Sequence, residues 1–135
     1  RQVMEAFPEK ELFSFSIGGM RPFSEMIKEF IGIWDYILKE ALSDQHVPLF
    51  EQDKFPATKT ELLALRDQVL ISLLSECKMI QNYGQEISPY QMKFSIAQWI
   101  LYIIENETHH RGQGYVYLRA LGIQPPFFWK RGSFK

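Results

Sequence analysis

Apolar residues recur three or four positions apart in three long segments of the chain, as they do on one side of an amphipathic helix. The segments run from Pro22 to about Leu42, from Thr58 to about Ile80 and from Pro89 to Ala120. Residues 1–12 have the pattern of a helix end interrupted at Pro8, because proline lacks the backbone N–H donor. No segment alternates convincingly between apolar and polar residues with a period of two. The pattern therefore predicts an all-α fold, a bundle of four helices.

Capping signals mark the ends of the predicted helices. Thr58 followed by Glu61 makes a capping box for the second long helix. Ser88 followed by Gln91 gives the same signal for the third long helix, which Gly122 is expected to end. The segment between residues 43 and 57 is predicted to be a polar loop, and its His46 has no partner pattern around it.

The second long helix has a continuous apolar stripe that is expected to face the core. Arg66 falls in the middle of this stripe, which is unusual for a residue that is always charged. Two explanations stay open: the guanidinium extends to solvent at a helix end, or it pairs with a buried carboxylate. Cys77 lies on the same stripe and is interpreted as a small core residue rather than a nucleophile. The stripe consists of Leu62, Leu63, Val69, Leu70, Leu73, Leu74, Cys77 and Ile80.

Composition limits the classes of function. The 135 residues fit one domain, 1–135, with 46% hydrophobic residues, and a formal charge of −1 offers no basic field for nucleic acid. The single cysteine excludes an internal disulfide and suits a reducing compartment, so a cytoplasmic location is expected. No apolar run reaches the roughly 18 residues that a membrane span needs, so no membrane partner is expected.

The candidate chemistry lies in the third long helix. At roughly 100° per residue, Asn106 and His110 fall on its apolar stripe with Trp99, Ile103 and Tyr117. A histidine in such a stripe needs a hydrogen bond or a metal ion. His109 points about 100° away, so the two adjacent histidines are not equivalent ligands.

Two histidines four positions apart on a helix bind zinc side by side, and another helix supplies the third ligand. Here the corresponding pair is Asn106 and His110, and an amide oxygen is a poor ligand for a transition metal. A lone histidine on an apolar face is more often satisfied by a neighbouring hydroxyl, amide or carboxylate than by a metal.

Three sequence segments resemble the DinB/YfiT-like superfamily. They are HHRGQ at residues 109–113, YLRALGIQPP at 117–126 and MRPFSEMIKEFIG at 20–32. The resemblance covers most of the chain. It implies a four-helix bundle with a metal site in its core, and relatives that often form homodimers. In this chain, the aromatic surface for such a homodimer contact would consist of Tyr115, Phe127, Phe128 and Trp129.

The resemblance implies a divalent metal held by three histidines, one on the second helix and two on the last. The matching positions in this chain are Glu29, Asn106 and His110, so one histidine of three is retained. Zinc, nickel or manganese bound through one imidazole, one carboxylate and one amide is expected to be held weakly. Alternatively, Glu29 and His110 form an ion pair or hydrogen bond in the vacated site. Glu29 also lies at the border of its apolar stripe, where a solvated edge residue is usual.

Two functions therefore stay open. The first is a divalent-metal-dependent enzyme of the thiol-dependent S-transferase or hydrolase type, with a small thiol or another small molecule as substrate. The second is a non-catalytic, metal-free bundle that binds a small molecule or serves as a stress-related dimer. Arg111, Gln113 and Arg119 are expected to tie the last helix to adjacent elements, and His109 to hydrogen-bond a neighbouring helix or loop. No basic recognition helix is present, so no nucleic-acid partner is expected.

Overall fold

The computed structural model describes residues 1–43 and 54–129, and the predicted loop residue His46 lies outside them. Helices make up most of the described chain, which confirms the predicted all-α class. They are α1 (Gln2–Ala6), α2 (Glu9–Ser14), α3 (Phe23–Leu42), α4 (Lys59–Met79) and α5 (Ile96–Ala120). Two short antiparallel strands, β1 (Glu86–Ile87) and β2 (Phe94–Ser95), flank a 3₁₀ turn at Pro89–Gln91.

Pro8 separates α1 from α2, as the sequence predicts. Its φ is fixed and it cannot donate a backbone hydrogen bond, so α1 cannot continue through it. The second short helix extends to Ser14, two residues beyond the segment 1–12 that has the pattern of an interrupted helix end.

The central element is α3, whose bounds agree with the predicted helix. Pro22 is its N-cap residue, and the helix ends at Leu42. Its apolar positions give it faces toward α2, α4 and α5, so it is the shared packing partner of these helices. The buried apolar side chains of α3 are Phe23, Met26, Ile27, Ile31, Ile37 and Leu38.

The capping box that opens α4 is confirmed. Thr58 Oγ1 accepts from the Glu61 amide, and the Glu61 carboxylate accepts from the Thr58 amide, at 3.2 Å each. Within the helix, however, only Leu62 and Val69 are buried, and the prediction of a continuous buried stripe was wrong.

Leu70 and Leu74 of α4 are 38% and 54% exposed. Both were predicted to be buried, but Leu70 faces a gap between helices rather than a packed neighbour. Arg66 borders that gap and pairs with its sequence neighbour Asp67 at 3.0 Å, so it has no buried carboxylate partner among the described residues.

Cys77 packs against the core, and burial, with the charge of Glu76, raises the pKa of its thiol. This agrees with its interpretation as a core residue.

The prediction that α5 begins at Pro89 was wrong. The N-cap is Ser95, which forms a capping box with Gln98, and the amides of Ile96 and Ala97 donate to carbonyls of the preceding loop at 2.9 Å each. The Ser88 signal instead leads into the 3₁₀ turn, where Tyr90 adopts a left-handed backbone conformation with φ 53°. That conformation cannot continue a right-handed helix.

The predicted C-terminal cap is confirmed. Gly122 has φ +76°, and the amide of Ile123 donates to the carbonyl of Leu118 at 2.8 Å. This is the αL geometry for which glycine has no steric penalty.

The core consists of two clusters along the interface of the antiparallel helices α3 and α5. One cluster contains Phe23, Ile27 and Tyr117, and the other contains Ile37 and Trp99. Glu29 lies on α3 between Ile27 and Ile31 of the first cluster, and Asn106 and His110 lie on α5 between Ile103 of the second cluster and Tyr117 of the first. No described helix is both long enough and apolar enough to cross a membrane.

Candidate functional site

The structure brings together the three residues singled out in the sequence, which we call the polar cluster: Glu29, Asn106 and His110. Glu29 Oε1 is 3.1 Å from His110 Nε2. Asn106 Nδ2 is 3.4 Å from Glu29 Oε1 and 3.5 Å from His110 Nε2. One turn of α5 therefore faces one position of α3, because residues four apart on a helix project to the same side.

His110 is 5% exposed, and both of its ring nitrogens face oxygen acceptors. Nδ1 lies 2.7 Å from Gln113 Oε1, and Nε2 faces the Glu29 carboxylate. A carboxylate and an amide oxygen accept hydrogen bonds and cannot donate them, so either ring nitrogen can donate to its neighbour when it carries the proton. The contact of Glu29 with His110 is a hydrogen bond to a carboxylate, and it is an ion pair only when the imidazole is charged.

Glu29 is held from both of its oxygens. Oε1 faces His110 and Asn106, and Oε2 pairs with the Arg21 guanidinium. Partial burial alone would raise the pKa of Glu29, but hydrogen bonds from Arg21, His110 and Asn106 together hold that pKa below its usual value. The carboxylate is therefore stabilised in its ionised form.

Arg21 is itself fixed to α5 through its main chain. The hydroxyl of Tyr117 donates to the carbonyl oxygen of Arg21 at 2.8 Å, and Tyr117 is fully buried. The guanidinium extends from this anchor across to Glu29, two turns further along the chain.

Only one of the two polar atoms in the Asn106 side-chain amide has a hydrogen-bond partner among the described residues. Nδ2 points at the other members of the polar cluster, whereas Oδ1 is buried and has no hydrogen-bond partner among the described residues. Buried polar atoms in folded proteins nearly always have a partner, so this acceptor is available to a donor from a ligand or a water molecule.

A group of aromatic side chains includes Tyr90, on which the charge of Glu29 acts. The Tyr90 ring is 4.9 Å from the Tyr36 ring and 6.4 Å from the Trp99 ring, and the Tyr102 ring is 5.6 Å from that of Trp99. Burial raises the pKa of Tyr90, and the charge of Glu29 is among the groups that raise it further. Tyr90 and Tyr102 are 53% and 41% exposed, so a ligand can reach both rings.

Whether the polar cluster fits a divalent metal depends on its donors rather than on their spacing. Tetrahedral zinc with bonds of about 2.0–2.2 Å places its ligands about 3.3–3.5 Å apart, close to the separations found here. The contacts of these donor groups, however, do not suit a metal. His110 Nε2 and Glu29 Oε1 bind each other, Arg21 holds the second Glu29 oxygen, and Asn106 presents its N–H group.

No group of three His, Cys, Asp or Glu residues in ranges 1–43 and 54–129 is arranged to hold a metal ion. The residues present therefore do not fit the divalent metal that the resemblance implies.

The other residues singled out in the sequence lie outside the polar cluster. Arg111 pairs with Glu107 at 3.0 Å, one turn back on α5, and Arg119 contacts Tyr115 in the same way. Arg119 thus contacts its own helix, whereas Arg111 also lies over the ring of Phe128, which follows α5, at 5.8 Å from the ring centroid. His109 is exposed and its ring packs edge-on against that of His110, with centroids 5.2 Å apart.

Arg21 was not predicted to be a site residue. Gln113 was expected to contact an adjacent element, and it contacts His110 of its own helix instead. Gln113 follows His110 by three positions, a spacing at which helix side chains meet, so the sequence contained that signal. Arg21 precedes α3 and its contact with Glu29 depends on how the loop folds back, so no spacing rule could have found it.

A cavity of about 300 Å³ lies on another side of the α3–α5 interface. Arg66, Glu107 and Arg111 line it together with apolar side chains of α3 and α4. None of the three residues of the polar cluster lines this cavity.

Comparison with known proteins assigns the chain to a family. The family model of the DinB family matches residues 24–132, which include the whole polar cluster. No curated protein matches the chain.

Proposed function

The chain belongs to the DinB family, and on this premise we propose that it is a metal-free, non-catalytic member that binds a small molecule at the polar cluster. The observation that supports this proposal is the closed set of contacts within the cluster. Both ring nitrogens of His110 and both carboxylate oxygens of Glu29 contact protein groups. A metal would have to displace the contact between Glu29 and His110 and the contact between Glu29 and Arg21 before it could bind.

The unsatisfied Asn106 Oδ1 and the neighbouring aromatic rings suggest how a small molecule is held. An N–H or O–H group of the ligand donates to Asn106 Oδ1, which is buried without a partner among the described residues. An apolar part of the ligand packs on the rings of Tyr90 and Tyr102. The ligand is thus expected to be amphipathic, with at least one hydrogen-bond donor.

Metal analysis of tag-free protein tests the metal-free part of the proposal. After incubation with zinc, nickel or manganese and desalting, we expect far less than one equivalent of metal, and the same low content in Glu29→Gln and His110→Gln. One equivalent of metal that disappears in His110→Gln would contradict the proposal.

A ligand-observed NMR screen of small amphipathic compounds tests the binding part. We expect hits whose binding weakens in Tyr90→Ala and Asn106→Ala but not in Phe127→Ala, which removes an exposed aromatic ring elsewhere. Hits that respond to Phe127→Ala alone, or a screen without hits, would contradict binding at the polar cluster.

The second candidate is a divalent-metal-dependent enzyme of the thiol-dependent S-transferase or hydrolase type. One observation favours it: Glu29 Oε1 and His110 Nε2, atoms of two kinds that bind metals, lie 3.1 Å apart, and Asn106 lies beside them. The metal analysis above decides between the two candidates, because only this one requires a bound ion.

The proposal includes a four-helix arrangement with α1 at the position of the first helix. Support comes from the packing of α1, which contacts both α4 and α5, while those two helices pack on α3. A homodimer formed through exposed aromatic residues such as Phe128 and Trp129 stays a prediction, and sedimentation velocity would test it.

A further inference from the structure

Arg21 provides a permanent positive charge at the polar cluster. Its guanidinium pairs with Glu29 Oε2, on the carboxylate whose other oxygen faces His110 and Asn106. The Tyr117 hydroxyl fixes the Arg21 main chain at 2.8 Å, so the pairing does not depend on a freely moving loop. A guanidinium stays protonated under all ordinary conditions.

Spacing does not explain why the cluster is unsuited to a metal. The three facing atoms are separated by 3.1–3.5 Å, close to the separation of ligands around a tetrahedral ion. Gln113 Oε1 accepts from His110 Nδ1, the arrangement that elsewhere leaves Nε2 free for a metal. The amide of Asn106 needs only a half-turn to present Oδ1 instead of Nδ2.

The positive charge of Arg21 explains why the polar cluster is unsuited to a divalent metal. A divalent ion between Glu29 Oε1 and His110 Nε2 would lie close to the Arg21 guanidinium, which the same carboxylate holds on its other side. It would be repelled by that charge and would share the electron density of one carboxylate with it.

We infer that Arg21 is the residue that determines this cluster's specificity: it takes the place of a metal ion as the cation bound to Glu29 and so excludes divalent metals. The inference rests on the proposed metal-free function. Replacing Arg21 by a neutral residue should leave Glu29, Asn106 and His110 free to bind a divalent ion.

Cobalt binding to purified full chain tests the inference, with Co²⁺ as the probe because its visible absorption reports its coordination. We expect Arg21→Met to bind Co²⁺ at least about tenfold more tightly than the unaltered chain, in the range of effects known for residues around metal ligands. Arg21→Lys keeps the positive charge and should behave like the unaltered chain. Adding His110→Gln to Arg21→Met should abolish the gain.

A matched control is Arg119→Met, which removes an arginine that contacts Tyr115 instead of the cluster. It should leave Co²⁺ affinity unchanged. Circular dichroism verifies that each variant is folded, and Arg21→Gln replaces Arg21→Met if the latter is not.

The inference is overturned if folded Arg21→Met binds Co²⁺ no better than the unaltered chain, or if Arg21→Lys gains as much as Arg21→Met. Tight binding of Co²⁺ by the unaltered chain that is lost in His110→Gln would instead contradict the metal-free function. The two failures are distinguishable. The inference about Arg21 fails on the ratio of Co²⁺ affinities between the variants and the unaltered chain, and the metal-free function fails on the Co²⁺ affinity of the unaltered chain itself.

Discussion

Gly114 is a position on α5 where a side chain of α3 packs closely against the helix backbone. A Cβ at this position would lie 2.7 Å from two ring atoms of Phe23 and 3.0 Å from Val3 Cγ1. Phe23 is buried and stacks on Phe7 with centroids 4.9 Å apart, so its ring cannot easily move away. We therefore expect Gly114→Ala to lower the free energy of unfolding by about 1–3 kcal/mol, as overpacked cores do.

Gly112 provides the matched control for that substitution. It is exposed on the same helix, and a Cβ there would meet nothing within 4 Å among the described residues. Gly112→Ala should raise the free energy of unfolding by about 0.5–1 kcal/mol through helix propensity. Urea denaturation measures both changes, and equal effects of the two substitutions would show that the Phe23 contact is not tight.

Glu29 gives the stability of the chain a dependence on pH with a defined sign. Its pKa is lower in the folded chain than its ordinary value of 4.5, so its ionised form favours folding. This contribution is complete above the unfolded pKa and is lost as pH falls through the folded pKa. Because the carboxylate is partly exposed, we expect it to contribute only about 1 kcal/mol.

The measurement is the difference in free energy of unfolding between the unaltered chain and Glu29→Gln as pH is lowered. The difference should be largest near pH 7 and narrow below pH 4.5. Glu105→Gln, an exposed substitution on α5, should stay within about 0.5 kcal/mol of the unaltered chain. A difference for Glu29→Gln that grows on acidification would show that the carboxylate is not stabilised in its charged form.

At the level of single residues, the sequence predicted which side chains meet but not all of their contacts. The resemblance placed Glu29, Asn106 and His110 at one site, and the alternative of a contact between Glu29 and His110 is the arrangement found. The contribution of Arg21 could not be predicted, because it depends on the path of the chain before α3.

Ser95 is the residue that begins α5 in the folded chain. Its hydroxyl accepts from the Gln98 amide at 3.3 Å, and the Gln98 side chain accepts from the Ser95 amide at 2.9 Å. Ser95→Ala should lower the free energy of unfolding by about 0.5–2 kcal/mol because an N-terminal amide of the helix loses its partner. Ser88→Ala is the control, since Ser88 makes no side-chain cap, and it should change stability by less than about 0.5 kcal/mol. A larger effect of Ser88→Ala would mean that α5 begins earlier in solution.

At the level of elements, α3 was predictable and the start of α5 was not. The apolar period of α3 is uninterrupted, and its bounds agree within a residue. Ahead of α5, two serines are each followed by glutamine three positions later, and local sequence gives them equal weight. The loop carbonyls of Tyr83 and Gln85, which accept from the first amides of α5, decide in favour of Ser95.

At the level of the whole molecule, an apolar surface between α4 and α5 is open. Leu70 of α4 and Ile104 of α5 line the cavity of about 300 Å³, and they are 38% and 49% exposed. Contiguous apolar surface of this kind binds apolar dyes. We expect Leu70→Gln with Ile104→Gln to reduce the fluorescence of bound anilinonaphthalene sulfonate.

The control for the dye measurement is Val116→Gln, which removes an exposed apolar side chain of α5 that does not line the cavity. Its fluorescence should equal that of the unaltered chain. An equal decrease in both variants would indicate that the dye binds without preference for this surface.

The fold class was predictable from periodicity, but the distribution of burial around α4 was not. An apolar stripe shows which side of a helix is suited to burial, and it does not show whether a neighbour covers that side. Leu62 and Leu70 have the same chemistry, yet Leu62 is fully buried and Leu70 is not, because Leu62 belongs to a core cluster with residues of α1 and α3 whereas Leu70 lines the open cavity.

The close contact at Gly114 also bears on the polar cluster. Gly114 lies one helical turn beyond His110, and Phe23 precedes Glu29 on α3, so the missing side chain sets how near the two helices approach beside the cluster. A hydrogen bond of 3.1 Å is lost when its partners separate by a few tenths of an ångström. The volume of one residue in the apolar core thereby bears on the distance between Glu29 and His110, which lie on neighbouring helices.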